Sequence, residues 1–190
     1  AHLLNWLKNK FHGEMYYMEK HGTKRSRPDK LMPGAIRVIS FRMNYLNNNT
    51  YESEKVLNNK NLAYISRYAL GNDYHSEMRN RLHIIAKKIN NEIKDFKYRA
   101  FVDSAPVLEK AIAQKAGLGW IGKNTLLINK KNGSYFFLGE IYTNIDFETD
   151  KKSESYCGDC NKCITTCPTN AIIAPHVLDA KKCIAYLTIE

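Results

Sequence analysis

Cys157-Gly-Asp-Cys160-Asn-Lys-Cys163-Ile-Thr-Thr-Cys167-Pro168 is the stretch on which the reading of this chain turns. Its spacing is C-x2-C-x2-C-x3-C-P. Three thiolates two residues apart suit one face of a [4Fe–4S] cubane. In two-cluster ferredoxins the fourth, with proline behind it, ligates the other cluster. Other uses of these cysteines fit less well. Disulfide frameworks belong to short secreted chains, whereas this one has 190 residues, an odd five cysteines and no stretch that reads as an export signal. Zinc sites favour two separated C-x2-C pairs. One-electron chemistry is therefore the first expectation.

The fifth cysteine, Cys183, has two readings. Two cubanes take four cysteines each. Cys157, Cys160 and Cys163 would serve one, and Cys167 with Cys183 the other, with the missing ligands expected beyond Glu190 in a longer protein. Alternatively, the four-cysteine run holds a single cluster and Cys183 is a buried thiol.

Composition narrows the class. The chain can hold one sizeable core and a small module, and no apolar stretch approaches the length of a membrane span. Reduced cysteines point to a reducing compartment, most simply the cytoplasm, so the glycosylation-type matches at Asn48–Thr50 and Asn132–Ser134 carry little weight. Net charge is +10, from 29 basic and 19 acidic side chains. Lys8, Lys10, Lys20, Lys24, Arg25, Arg27, Lys30, Arg37 and Arg42 crowd the first 42 residues. Such a surface attracts polyanions, nucleic acid or a phosphorylated cofactor among them, although a solvated basic face has the same composition.

Along the chain, Leu3, Leu4, Leu7, Phe11, Met15 and Met18 recur at helical spacing and predict an amphipathic helix ending near Gly22. A strand is expected at Ile36–Phe41, and the polar residues 47–61 read as a loop. A second helix is set by Tyr74, Met78, Leu82, Ile85, Ile89 and Ile93. A strand at Arg99–Val102 runs into Asp103-Ser104-Ala105-Pro106, where Ser104 is expected to cap a helix through Ala116. Thr125–Asn129 and Ser134–Tyr142 read as a hairpin around Lys130–Gly133. Asp146–Ser155, charged and poor in large apolar residues, looks like a linker. The division predicted is an α/β domain over 1–148 and a ferredoxin-like module over 149–190.

Two nucleotide-like motifs fail on context. Gly117-Leu-Gly119-Trp-Ile-Gly122-Lys123-Asn124 contains G-x-G-x-x-G and nearly matches a phosphate loop. Those motifs need a strand leading into a helix, and here the glycines follow a helix and precede a strand. Two uses remain open: close backbone approach to a large ligand, and a tight helix-to-strand turn. Asp73-Tyr74-His75 begins the D-x-H-x-x-G pattern by which some corrinoid proteins offer histidine to cobalt. Met78 stands in place of that glycine, so His75 is expected to be an ordinary first-turn residue. Asp103 is the leading candidate acid. With Ser104 free to cap, Asp103 could face a site at the strand's end, where an apolar setting would hold its proton for donation.

Taken together, Arg67-Tyr-Ala-Leu-Gly-Asn-Asp-Tyr-His75, Val102-Asp-Ser-Ala-Pro-Val-Leu-Glu109, Ala116-Gly-Leu-Gly-Trp-Ile-Gly-Lys-Asn-Thr-Leu-Leu-Ile128, Phe137-Leu-Gly-Glu-Ile141 and Cys183-Ile-Ala-Tyr-Leu-Thr-Ile-Glu190 resemble the epoxyqueuosine reductases. The resemblance implies an α/β (α+β) cobalamin-binding domain, nitroreductase-like, followed by a ferredoxin-like module with two [4Fe–4S] clusters. It implies reduction of epoxyqueuosine to queuosine at the wobble position of tRNA, with electrons from an external donor, in a cytoplasmic monomer. It assigns Asp103 as proton donor and the corrin pocket to Ser66, Tyr68, Asp103, Ser104, Gly122, Lys123, Asn124, Leu127 and Leu138, much of it through backbone. It also implies no histidine ligand beneath cobalt. The family's extreme N-terminus, its remaining cluster cysteines and its C-terminal helical repeats, implicated in tRNA recognition, have no counterpart in these 190 residues.

Two other readings compete. A reductive dehalogenase-like protein would share cobalamin and clusters, but the V-D-S-A-P-V-L-E and G-W-I-G-K-N phrases and the lack of a twin-arginine signal argue against it. A ferredoxin-type carrier fused to a nucleic-acid-binding domain would need no active site.

Overall fold

The computed structural model describes residues 2–46 and 52–189. Its centre is an antiparallel sheet of β1 (Arg37–Asn44), β2 (Tyr98–Phe101) and β5 (Phe136–Thr143), in the order β1-β5-β2. Register is continuous, with Ile39 opposite Ile141, Ser40 opposite Glu140 and Ala100 opposite Ile141 on the other side. β5 is covered on both faces, so Gly139, Glu140, Ile141, Tyr142 and Thr143 are all buried rather than alternating in and out. The helices doing this are α5 (Tyr74–Glu92) and α6 (Glu109–Lys115).

α5 forms as its spacing predicts. Asp73 caps it, accepting the His75 N–H at 3.0 Å. Met78, Leu82 and Ala86, one turn apart, pack with Phe96, Val102 and Ile141. Gly139 lets the helix approach, because a Cβ there would meet the Met78 and Leu82 side chains. On the opposite face Phe101, Val107 and Tyr142 pack with Leu31 and Met32, and Ile112 of α6 joins them.

Several local elements differ from expectation. The single N-terminal helix is broken into α1 (His2–Lys8) and α2 (Tyr17–Lys20), followed by a 3-10 turn at Gly22–Ser26 and α3 (Pro28–Leu31). Lys10 and Gly13 adopt left-handed backbone between the first two, which ends a helix whatever its apolar spacing. The polar 47–61 segment contains α4 (Ser53–Leu57), while 47–51, including Asn48–Thr50, lie outside the described residues. Ser104 is not a cap: its hydroxyl donates to the Val102 carbonyl, and α6 starts five residues later at Glu109. The predicted hairpin is also re-paired. β4 (Leu127–Ile128) pairs back with β3 (Trp120–Ile121), and the turn itself is closed by the Asn129–Gly133 bridge and by the Ser134 hydroxyl donating to the Leu127 carbonyl.

The cysteine segment is built from short pieces: α7 (Lys162–Thr165), the pair β6 (Ile172–Ala174) and β7 (Val177–Leu178), and α8 (Ile184–Ile189). The chain's first turns lie against it rather than against the sheet. The Trp6 indole N–H donates to the Leu178 carbonyl at 2.6 Å, Ala180 N–H donates to Phe11, and Glu14 N–H donates to the Tyr186 hydroxyl. Among the described residues no helix is long and apolar enough to cross a membrane.

Candidate functional site

The sheet is antiparallel, so Asp103 does not lie at the strand-order crevice of an open parallel sheet. Its placement comes from the loop leaving β2. Asp103 has φ +50°, a left-handed conformation uncommon outside glycine. Two side chains hold it there. The Asp103 backbone N–H donates to Glu109 Oε1 at 2.8 Å. On the other side Asp103 Oδ2 lies 3.0 Å from His75 Nε2, while His75 Nδ1 lies 2.7 Å from Asp73 Oδ1. The Asp103 carboxylate is open to solvent, 57% exposed, instead of sitting in an apolar recess.

Each ring nitrogen of His75 therefore faces a carboxylate oxygen, an arrangement that the doubly protonated ring satisfies with two donors. The hydrogen bond to Asp103, then that to Asp73, raises the His75 pKa. The spacing of D-x-H was legible in sequence, but the meeting of residues 75 and 103 depends on α5 and β2 packing side by side. Behind the loop, burial pushes Glu109 up to about 7, helped by the nearby Asp103 charge and opposed by the Asp103 N–H and Lys110. Glu140 is wholly buried on the central strand and neither oxygen has a hydrogen-bond partner. Burial, and secondarily Glu109, push it up to about 9. Both acids escaped the sequence reading; Glu140 left one signal, an acid inside the apolar run Phe136–Thr143.

From His75 an aromatic ledge runs along the sheet. Tyr74 stacks on Phe137 with ring centroids 3.9 Å apart, and Tyr45 lies 4.7 Å from Phe137 and 6.0 Å from Tyr135. Tyr68 lies close enough to influence the Tyr45 hydroxyl, and its own ring is half exposed. Ser66 and Tyr68 belong to the short turn at Arg67–Ala69. Leu127 is buried in a small core with Ala113 and Phe136, against which Leu138 packs.

The glycine turn faces the cysteines. Gly117, φ +73°, ends α6, and a Cβ on Gly119 would collide with the Ile128 carbonyl, so the turn is tight for internal reasons. Asn124 accepts the Leu126 N–H. Lys123 Nζ donates to the Gly158 carbonyl at 2.8 Å and to Asn161 Oδ1 at 2.9 Å. The Trp120 indole N–H donates to Cys157 Sγ at 3.4 Å.

Cys160 is exposed, and Cys157, Cys163, Cys167 and Cys183 are half-buried, all as free thiols. Backbone N–H groups of Ile172 and Ala171 lower the Cys167 pKa to about 7, favouring the thiolate that a metal needs. Among the described residues no three His, Cys, Asp or Glu converge as a site for a single metal ion. A cubane spreads its thiolates over its separate irons, and the four-cysteine donor set suits that group.

These features define a class: a mixed α/β domain joined to a 4Fe–4S cluster-binding domain. Residues 25–104 match the family described as "Epoxyqueuosine reductase QueG, DUF1730", and residues 156–190 match the "4Fe-4S double cluster binding domain". The epoxyqueuosine reductase of Pseudomonas aeruginosa is 56% identical over 191 residues, covering 100% of this chain and 53% of that protein. A crystal structure of epoxyqueuosine reductase with an epoxyqueuosine-modified tRNA-Tyr stem loop has a TM-score of 0.81 at 28% identity, covering 98% of this chain and 49% of that one. The Bacillus subtilis structure, with an aspartate-bearing catalytic loop swung out of the active site, gives 0.79 at 27% identity, covering 98% and 49%. The chain belongs to the epoxyqueuosine reductase family, and it spans about half the length of the curated relatives it matches.

Proposed function

We propose that this chain is the cofactor-binding and catalytic portion of an oxidoreductase that reduces epoxyqueuosine to queuosine at the wobble position of tRNA. The observation that carries the reading is the Asp103 loop, latched by His75 and Glu109 at the end of an aromatic ledge, in a chain of this family. The reaction takes an epoxide, two electrons and two protons to an alkene and water.

Asp103 is the proton donor to the opening epoxide oxygen. His75 Nε2 lies 3.0 Å from Asp103 Oδ2, a pairing that raises the His75 pKa, so the protonated ring would resupply that carboxylate. Glu109 fixes the backbone from which Asp103 projects. The nitroreductase-like α/β domain, residues 1–148, would bind cobalamin. Its flat macrocycle would lie on the half-exposed aromatic ledge, held by Ser66, Tyr68, Asp103, Ser104 and Leu138, with Leu127 behind them in the core and Gly122, Lys123 and Asn124 contributing through backbone. Both His75 nitrogens are engaged by carboxylates, so this ring is not offered to cobalt. When bound, cobalamin accumulates the electrons that iron–sulfur clusters deliver one at a time. Residues 149–190 would hold those clusters, Cys157, Cys160 and Cys163 serving one, and Cys167 with Cys183 part of the other.

The substrate is tRNA bearing epoxyqueuosine, and the basic stretch around Lys24 and Arg27 is a surface for its phosphates. Arg25 is the exception, its guanidinium half-buried and donating to the Tyr17 carbonyl. The protein works as a cytoplasmic monomer with an external electron donor. Nucleoside analysis of tRNA treated with the full-length Asp103→Asn variant tests the assignment: turnover should vanish while cobalamin absorbance is retained. Full activity in that variant would overturn it.

A further inference from the structure

The turn from Gly119 to Lys123 lies between the two halves of the molecule, and its contacts run toward the cysteines. Trp120 is buried, and a buried indole N–H takes a partner; here the partner is Cys157 Sγ, 3.4 Å away. Tyr156, the residue before that cysteine, packs on the same indole with ring centroids 5.1 Å apart. Three residues on, the Lys123 ammonium spans to the Gly158 carbonyl and the Asn161 side chain, which bracket Cys160. His176 grips the turn from the cluster side, donating its N–H to the Lys123 carbonyl at 3.0 Å and placing Nδ1 3.0 Å from the Gly122 carbonyl. The turn packs closely on β4, since a Cβ at Gly119 would meet the Ile128 carbonyl.

We propose that Trp120 and Lys123 set the reduction potential of the cluster held by Cys157, Cys160 and Cys163. The proposal rests on the iron–sulfur reading of those cysteines. Reduction adds negative charge to a cluster. An N–H donor on a ligand sulfur and a fixed ammonium beside its loop both stabilise that charge and raise the potential. Cys167, assigned to the other cluster, receives backbone N–H groups of Ala171 and Ile172 from within the cysteine segment, whereas the indole N–H on Cys157 and the ammonium beside its loop come from the α/β region. The α/β region thus acts on the potential of the one cluster whose loop it touches, and holds that cluster's reduced state more stable than its own ligands would. Trp120 and Lys123 are tuning residues here, not catalytic ones.

The test is a potentiometric titration, followed by electron paramagnetic resonance, of the full-length protein reconstituted anaerobically. Trp120→Phe, which keeps the ring and loses the donor, and Lys123→Met should each lower the potential of one cluster and leave the other unmoved. A purely structural role would change iron content and leave the potentials where they were. Unshifted potentials in fully loaded variants overturn the proposal. Should Trp120→Phe lose its cluster, Lys123→Met decides by the same criterion. A wild-type protein that shows no cluster signal would instead overturn the iron–sulfur reading itself.

Discussion

The α/β region and the cysteine segment are held together by different means. Between residues 31 and 145 there are three apolar clusters, and side chains such as Leu82 and Ile141 are almost wholly removed from water. Between 156 and 189 the buried apolar positions are Ala171 and Ala180, while Ile173, Ile184, Leu187 and Ile189 face outward. Apolar burial stabilises the first region at roughly 25 cal/mol per Å². The second has too little of it, and bound clusters would supply the difference, since metal–thiolate bonds in small metal-binding domains couple directly to folding. The lesson is one of cause: one half shapes its site by packing, and the other has little packing with which to do so.

Removing the metal should break this comparison most visibly. Anaerobic iron chelation of the full-length protein should abolish hydrogen-exchange protection over 156–189, and loosen residues 6–14, which hydrogen-bond to that segment. Amides of α5 and β5 should stay protected. Uniform loss across both regions would show that the two halves fold as a single unit.

The converse experiment is Leu82→Ala. It leaves a cavity between α5 and β5 and should cost ~2–5 kcal/mol in chemical denaturation. Cluster absorbance should be unchanged below the transition. A cost under about 1 kcal/mol would mean that the core can collapse around the gap.

Glu140→Gln sharpens the comparison inside the packed half. Because burial raises the folded-state pKa of Glu140 to about 9, the native protein keeps a proton that the unfolded chain releases above its ordinary value near 4.5. Stability from this group is therefore present at acid pH and falls as pH rises through that window. The amide should flatten the fall and raise stability at pH 8 by on the order of 1–3 kcal/mol. Thermal melts from pH 5 to 9 check it, and parallel pH profiles for both proteins would contradict the assignment.

Local signals carried a good part of the structure. Cysteine spacing, the 74–93 periodicity and the glycine stop after α6 depend on neighbours a few residues apart, and the corresponding elements form with small shifts. Long-range pairing was not legible. Thr125–Asn129 looked like half of a hairpin with the following strand, but its last residues pair backwards with Trp120–Ile121, because strand propensity does not name a partner. Apolar spacing over residues 3–18 predicted one helix, and left-handed backbone at Lys10 and Gly13 divided it. At the candidate site, Asp103 stood out as an acid at a strand's end. Its partners His75 and Glu109 come from 28 residues before and 6 after, and only packing brings them together.

The sequence by itself determined the chemistry available: four thiolates at ferredoxin spacing, an acid after an apolar strand, and a glycine turn that follows a helix. Tertiary structure decided how those parts are addressed to one another. It gave Asp103 an imidazole and a half-buried carboxyl, left Glu140 unpaired in the core, and turned Trp120 and Lys123 toward Cys157 and its loop. The physical reason is that covalent spacing and backbone propensity act over a few residues, whereas hydrogen-bond partners and desolvation are properties of whatever the folded chain brings alongside.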